Sequence, residues 1–546
     1  MKALSYASGS CEKPLLGDTI IQNLRRTVER FPDREAVVVP YQGYRATYRD
    51  FWDQLVLIAR GLLARGVQKG DRIGIWAPNR SEWVVVQYAT AYIGAILVNI
   101  NPAYRTHELE YALKQSGTSL LILSRGFRAA DYVAMVTEVR GRCPDLRDTL
   151  VLEDDWNALR DQGSRVTEAS LMQREAELQF DDPINIQYTS GTTGFPKGAT
   201  LSHHNLINNA YFIGETLRYT EQDRVCIPVP FYHCFGMVLG NLACTTHGAC
   251  IVVPGEAFDP PAVMKTVQEE RCTSLYGVPT MFIAELDHAE FARFDFSSLR
   301  TGIMAGSPCP VEVMKRVMRD MHMPEVTICY GMTETSPVSC QSKTDDALEK
   351  RVTTVGWAHP HVEVKVIDPE IGKIVSRGVP GEFCTRGYSV MLGYWNNKEA
   401  TTDAIDAGRW MHTGDLASMD EEGAINIVGR IKDMVIRGGE NVYPREVEEF
   451  LYSHPAVSDV QVIGVPDEKY GEELMAWVKL RPGSAATDEV LRTFCQGKIS
   501  SYKIPRYWKF VDGFPMTVTG KVQKYKMREQ AIEELGLAKA AATRTA

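Results

Sequence analysis

No pair among the chain's twelve cysteines has C-x-x-C or zinc-finger spacing. This speaks against a disulfide framework and reads as reduced, mostly buried small hydrophobes in a cytoplasmic protein. Long apolar runs are lacking too. Nowhere do the roughly 18 consecutive apolar residues of a spanning helix occur, so no transmembrane segment is expected, while peripheral membrane contact stays open. The first residues, MKALSYASGSCEKPLLGD, have neither a basic region ahead of an apolar run nor an Arg-rich amphipathic pattern, and a cleaved signal is not expected. Basic excess is missing as well: the net charge is -9, which argues against nucleic acid as a partner. No internal repeat or low-complexity block stands out. With 546 residues the chain is expected to form two or more domains that need no metal or disulfide staple for stability.

Short apolar or β-branched runs do recur: RIGIWAP, AILVNI, SLLILS, INIQYTS, VCIPVP, ACIVVPG, SLYGVP and VTICYG, all within the first 350 residues. Helical patterns such as PAVMKTVQEERC and PVEVMKRVMRDM lie between many of them. Alternation of this kind predicts buried, mostly parallel sheets with ligand sites at strand ends. From about residue 361 to 430 the strands shorten (VEVKVID, GEFCTRG, AINIVGR), as in a β-rich subdomain. After GRIKDMVIRGGENV, Pro444 suits a first helical turn, and Val447, Phe450 and Leu451 make an apolar stripe. The expected organisation is α/β: a large N-terminal domain over 1–431 and a small, mobile α+β domain over 432–546.

One loop carries obvious chemistry. YTSGTTGFPKG, residues 188–198, gathers glycines, hydroxyls and a lysine behind an apolar run, a composition that suits phosphate. It is a near miss to the Walker loop. Gly191 and Lys197 have that spacing, but Pro196 replaces the second glycine and Gly198 replaces the Ser/Thr that would ligate Mg²⁺. The plain alternative is an exposed flexible loop with a chance lysine.

Taken together, YTSGTTGFPKG, YGMTETSP at 330–337, TGD at 413–415, GRIKDMVIRGGENVYPREVE from Gly429 and TVTGKVQK at 517–524 resemble the ordered motifs of adenylate-forming enzymes. GYSVMLGYW, VIRGGENVYP and FCQGKISSYKIP resemble the medium-chain fatty acyl-CoA ligase branch. The resemblance implies that Thr189, Ser190, Gly191, Thr192, Thr193, Gly194, Phe195, Pro196 and Lys197 enclose the β- and γ-phosphates of ATP. It implies that Glu334 and Thr192 hold Mg²⁺ and that Thr333 donates to the α-phosphate. Tyr330 would offer a face to adenine, with Gly306, Ser307 and Pro308 opposite. Asp415 and Arg430 would take the ribose. Lys432 corresponds to the hinge, and Lys521 to the catalytic lysine between carboxylate and α-phosphate.

By the same resemblance, His233 stands where the family places an aromatic or histidine gate beside the acyl tunnel, and is expected as that gate. Gly236, Gly240, Gly277 and Gly331, near predicted strand ends, would leave room for the chain, lined by Met237, Val238, Met304 and Met332. Amino-acid-activating members of the resembled family place an aspartate near His233 for the substrate ammonium; here the run is HCF, which disfavours an amino-acid substrate. Gly438 and Gly439 would admit the pantetheine arm of CoA, with Arg437 and Lys503 toward its phosphates. Bland readings attach to several of these: Glu334 as a helix-start carboxylate, Asp415 as a turn residue, His233 as core, the glycine pair as a turn.

The expected activity is a Mg²⁺-dependent acid:CoA ligase that uses ATP and CoA to convert a medium-chain fatty acid to acyl-AMP and then acyl-CoA. An aryl or other small carboxylate is the rival substrate, and a non-catalytic nucleotide-binding scaffold the rival class. Homo-oligomerisation stays open.

Overall fold

The computed structural model describes residues 3–189, 196–438, 440–517 and 521–537. Two sheets dominate its first 360 residues. The seven-stranded sheet runs in the order Gly393–Tyr394, Lys197–Ser202, Pro183–Thr189, Ile96–Asn99, Arg72–Trp76, Leu120–Leu123, Asp148–Val151. All its neighbours from Pro183–Thr189 onward are parallel. In the nine-stranded sheet, six central strands are parallel, from Glu325–Gly331 through Thr301–Ala305, Ser274–Gly277, Arg224–Cys226 and Cys250–Val252 to Glu35–Val39. Antiparallel strands flank them at both edges. All five residues of Thr301–Ala305 are buried, as a strand covered on both faces requires, which is why such strands read as continuous apolar runs.

The helices between the strands start where local chemistry tells them to. Thr19 and Thr47 each close a capping box, with Gln22 and Asp50, and Pro279 opens Pro279–Leu286. The largest apolar cluster lies among the helices and facing sides of the two large sheets, where each fully buried Ile, Leu or Val adds about 1.5–3 kcal/mol.

A five-stranded antiparallel sheet follows, in the order Tyr6–Ser8, Val362–Ile367, Gly381–Gly387, Met411–Met419, Ile425–Arg430. The sequence pattern does not announce its first strand, which the chain's beginning contributes from more than 350 residues away. The separate C-terminal domain is α+β. Its antiparallel pair is Val457–Asp467 and Gly471–Leu480; the free edge of Gly471–Leu480 takes Val435–Arg437, backed by Glu440–Val442, at its start and Tyr507–Phe510, parallel, further along. Polar contacts join it to the larger part: the Ser458 hydroxyl donates to Asp287 at 3.0 Å, and Val311 N–H reaches Glu449 at 3.4 Å.

Candidate active site

The phosphate-loop candidate connects two strands of one sheet. Pro183–Thr189 and Lys197–Ser202 pair antiparallel, with Thr189 opposite Lys197. A Walker loop instead leads from a strand into a helix whose N-terminus faces the phosphates. After this loop the chain enters a strand antiparallel to the one before it, not a helix, so the position of Pro196 carries no requirement for the Walker glycine. Ser190, Gly191, Thr192, Thr193, Gly194 and Phe195 lie outside the described residues. Of the remainder, the Thr189 hydroxyl donates to the Lys197 carbonyl at 3.3 Å, and the Pro196 carbonyl accepts from the Tyr111 hydroxyl at 2.9 Å.

Lys197 leads directly to Glu334. Its ammonium sits 5.1 Å from the centre of the Tyr394 ring, and the Tyr394 hydroxyl donates to Glu334 Oε1 at 2.8 Å. Glu334 and Thr333 are buried in the short 3-10 turn Thr333–Thr335, just past the C-terminal end of Glu325–Gly331. Sequence reasoning missed Tyr394. Its signal was present in GYSVMLGYW, where it stands on the edge strand paired with Lys197–Ser202.

Asp415 is held from two sides. Tyr330 donates its hydroxyl to Oδ2 at 2.6 Å, and Arg430 Nε approaches Oδ1 at 3.3 Å. Asp415 and Arg430 face each other across the strands Met411–Met419 and Ile425–Arg430. Burial raises the Asp415 carboxyl's pKa, and Arg430 and the Tyr330 hydroxyl pull it partly back. The Tyr330 ring also meets Phe383 edge-on, with centroids 5.2 Å apart, so its orientation is fixed twice.

Lys521 comes to this place from the far end of the chain. A Cβ added to Gly306 would lie 3.9 Å from Lys521 Cε. Burial lowers the lysine's pKa, Arg430 lowers it further, and Glu334 and Asp415 counteract both. Locally Lys521 is pinned by its own turn: its N–H donates to the Thr517 hydroxyl at 3.0 Å, and its carbonyl accepts from Thr517 N–H at 2.7 Å. Gly306 adopts φ +93°, a left-handed conformation that bends the chain away from the end of Thr301–Ala305, with Ser307 and Pro308 next along. A cavity of about 320 Å³ opens between the two domains, lined among others by Tyr232, Met281, Phe514 and Thr517, the residue whose hydroxyl takes the Lys521 N–H.

His233 is a neutral imidazole. Desolvation and the Lys521 charge push its pKa down to about 3, and its Nδ1 accepts from Phe235 N–H at 3.1 Å. Beside it, the Cys234 thiol contacts Gln187 Oε1 at 3.1 Å, and burial pushes its pKa up to about 12, so it is no nucleophile.

Several expectations about the acyl pocket are corrected. Gly236 and Gly240 do not end a strand; they lie in the π-helical segment Phe235–Leu242. The space their missing Cβ atoms leave is filled by protein: Pro230 O would be 2.4 Å from one, Ile227 Cδ1 2.8 Å from the other. Likewise a Cβ on Gly277 would meet the Phe282 ring at 2.9 Å, and one on Gly331 the Pro337 carbonyl at 1.7 Å. These glycines permit close packing of the chain on itself. Met304 is corrected too: strand alternation turns it into the cluster behind the sheet, whereas Met237, Val238, Ile303 and Ala305 share the front cluster, with Met332 packed against it.

The CoA candidates are not brought to the Lys521 site. Arg437 forks onto the buried Glu473 at 2.7 and 2.8 Å and lies 4.4 Å from the Tyr470 ring centre, while Lys503 pairs with Glu446 at 2.5 Å. Both charges are engaged within the C-terminal domain. Gly438 has φ +60° beside Tyr470, and Gly439 lies outside the described residues. Lys432, exposed, sits in the 3-10 turn Ile431–Asp433 where the chain passes between the two parts.

A layered α/β body, a small separate domain and a cluster drawing on both define the adenylate-forming enzymes. The chain belongs to that AMP-binding family: the AMP-binding enzyme description matches residues 24–395, and the AMP-binding enzyme C-terminal domain matches 446–521. It is an enzyme of the acyl-CoA synthetase class. One relative, named "Putative acyl-CoA synthetase YngI", from Bacillus subtilis (strain 168), is 51% identical over 543 residues, 96% of this chain and 99% of the relative. The mitochondrial medium-chain acyl-CoA ligase ACSF2 of Danio rerio is 44% identical over 98% of this chain and 91% of its own. Among solved structures, the anthranilate CoA ligase AuaEII in complex with anthranoyl-AMP superposes with a TM-score of 0.87 at 27% identity, covering 96% of this chain and 99% of that one.

Proposed function

We propose that the chain is an ATP-dependent fatty acid:CoA ligase with a preference for medium-chain acids. In the first half-reaction a carboxylate attacks the α-phosphate of ATP, giving acyl-AMP and pyrophosphate; in the second, the CoA thiol displaces AMP. The observation that carries this reading is the placement of Lys521 beside Gly306, within electrostatic reach of Glu334, Asp415, Arg430 and His233. Two anions must meet in the first step, and a desolvated cation between them stabilises the charge that builds there. Asp415 with Arg430 takes the ribose, the doubly fixed Tyr330 ring takes the adenine, and Thr333 donates to the α-phosphate. The loop over 189–197 holds the departing pyrophosphate.

Mg²⁺ fits the donor set. Glu334 is a buried carboxylate with one oxygen already oriented by Tyr394, and the neighbouring candidates are hydroxyls, the all-oxygen environment that hard cations take. When bound with ATP, the ion would neutralise phosphate charge. Glu334 and Thr192 would hold it.

The second half-reaction needs a different arrangement of the same parts. Rotation about Lys432 withdraws Lys521 and presents Gly438 and Gly439 to the thiol arm, with polar interdomain contacts such as Ser458–Asp287 exchanging at low cost. The medium-chain preference rests on the ACSF2 likeness and on the apolar front cluster around Met237. Likeness to the anthranilate ligase keeps an aryl acid as the second reading. A cytoplasmic setting belongs to the same proposal, although the ACSF2 relatives are named as mitochondrial. Pyrophosphate exchange driven by a panel of carboxylates is the test. Exchange with octanoate and not with benzoate or anthranilate supports the proposal, the reverse selects the aryl reading, and no exchange with any acid refutes ligase chemistry.

A further inference from the structure

We propose a zinc site outside the adenylation centre, built by Cys384, His412 and Glu382 on adjacent strands of the five-stranded sheet. Cys384 and His412 are cross-strand partners, and Glu382 precedes Cys384 by two positions on the same face. One ligand atom from each residue falls within 4.8 Å of the other two. The individual separations are 3.0 Å between His412 Nδ1 and Glu382 Oε2 and 3.7 Å between His412 Nδ1 and Cys384 Sγ. A tetrahedral Zn²⁺ with ordinary bond lengths holds N and O ligands about 3.3 Å apart and N and S ligands about 3.6 Å apart. The cluster therefore approaches zinc geometry before any ion is placed in it.

The surroundings complete the donor chemistry. Asp406 Oδ2 lies 3.6 Å from His412 Nε2, the nitrogen left over when Nδ1 coordinates, and Asp406 is itself oriented by Trp410 N–H at 2.9 Å. A carboxylate behind a ligating imidazole fixes the ring and raises its basicity. Glu382 Oε1 accepts from Gly414 N–H at 3.2 Å, leaving Oε2 turned to the cluster. Two cations lie near, Lys365, opposite Cys384 in the sheet register, and Arg386, 4.3 and 4.5 Å from the Trp410 ring centre, and Arg386 is paired with Glu363 at 2.7 Å. Arg386 and Glu363 offset each other, so two carboxylates and a thiolate against one divalent ion and the Lys365 ammonium leave the site neutral. Cys384 is fully buried, whereas His412 and Glu382 keep 30% and 14% exposure, so water can enter as the fourth ligand. Zn²⁺ takes the places of the Cys384 thiol proton and the His412 Nδ1 proton, both of which leave to solvent, while the proton on Nε2 stays and faces Asp406 Oδ2. Sulfur, nitrogen and oxygen together suit a borderline ion such as Zn²⁺ over Mg²⁺. His412 stands three residues before Asp415, so an ion there braces the strand that carries the ribose carboxylate.

Full-length protein, stripped with chelator and kept reduced, is titrated with Co²⁺ and then Zn²⁺. The expected result is a thiolate-to-Co²⁺ charge-transfer band that saturates at one ion per chain, disappears on adding Zn²⁺ and is missing from Cys384→Ser. Glu382→Gln and Asp406→Asn each weaken Co²⁺ binding at least about tenfold. Those two variants carry the test if Cys384→Ser fails to fold by circular dichroism. No charge-transfer band at saturating Co²⁺, or an equal band in folded Cys384→Ser, overturns the proposal, as does unchanged affinity in both carboxylate variants.

Discussion

Replacing Lys521 by alanine tests the core of the proposed mechanism. The ammonium stands in a site that also holds Glu334, Asp415 and Arg430, and desolvation already lowers its pKa. At an effective dielectric of about 20, a unit charge about 4 Å from a developing anion contributes about 4 kcal/mol. That magnitude corresponds to nearly 10³ in rate, at the upper end of the 10²- to 10³-fold usual for one such contact. Lys521→Ala should therefore slow acyl-AMP formation by about 10²- to 10³-fold, read by pyrophosphate exchange. Conversion of supplied acyl-AMP to acyl-CoA should change only a few-fold, because the proposal withdraws Lys521 for that step. The wild type should show a second signature. With its pKa lowered, Lys521 loses its proton below the ordinary lysine range, so kcat/KM for adenylation should fall on the alkaline side before pH 10.5. Equal losses in both half-reactions, with an unaltered circular dichroism spectrum, would refute this division of labour.

Asp415→Ala should raise the KM for ATP about 10- to 100-fold, the cost of one or two charged hydrogen bonds, with little change for CoA; unchanged ATP kinetics would move the ribose elsewhere. Tyr394→Phe keeps the ring beneath Lys197 but deletes the donor to Glu334, and should cut the exchange rate roughly tenfold, shown by kinetics at saturating ATP and excess Mg²⁺. Gly331→Ala places a Cβ 1.7 Å from a backbone carbonyl, a clash that no rotamer relieves; an overpacking cost of about 3 kcal/mol should appear as a lowered Tm, and an unchanged Tm would contradict the packing described. Burial holds His203, His233 and His359 down to about 3, helped at His233 by the Lys521 charge, so they stay neutral in the folded protein while the unfolded chain protonates them near 6.5. Their contribution is full above pH 6.5 and is lost as pH falls toward 3, so apparent Tm should drop between pH 6.5 and 5, ahead of most carboxylate titration; a flat profile there would count against it.

The order of local elements was legible because each is encoded within a few residues. Buried parallel strands announce themselves as apolar runs, the helices by their caps and stripes, and Pro444–Tyr452 begins at the proline that favours a first turn. The motifs named the chemistry for the same reason: glycine, hydroxyl, carboxylate and lysine have properties that survive without coordinates. What only the tertiary structure decided depends on pairs distant along the chain. Sequence could nominate Lys521 but could not bring it to Gly306, since that contact depends on how the C-terminal domain sits. Glycine says that a Cβ is forbidden without saying by what, and at Gly331 the answer is the chain's own carbonyl. Met304 has the same composition-level credentials as Met237, yet strand alternation sends it behind the sheet. Tyr394 stood in view in GYSVMLGYW, but its bond to Glu334 and the Cys384–His412–Glu382 cluster were not, because a hydrogen bond or a ligand set exists only after the fold has brought separated side chains together.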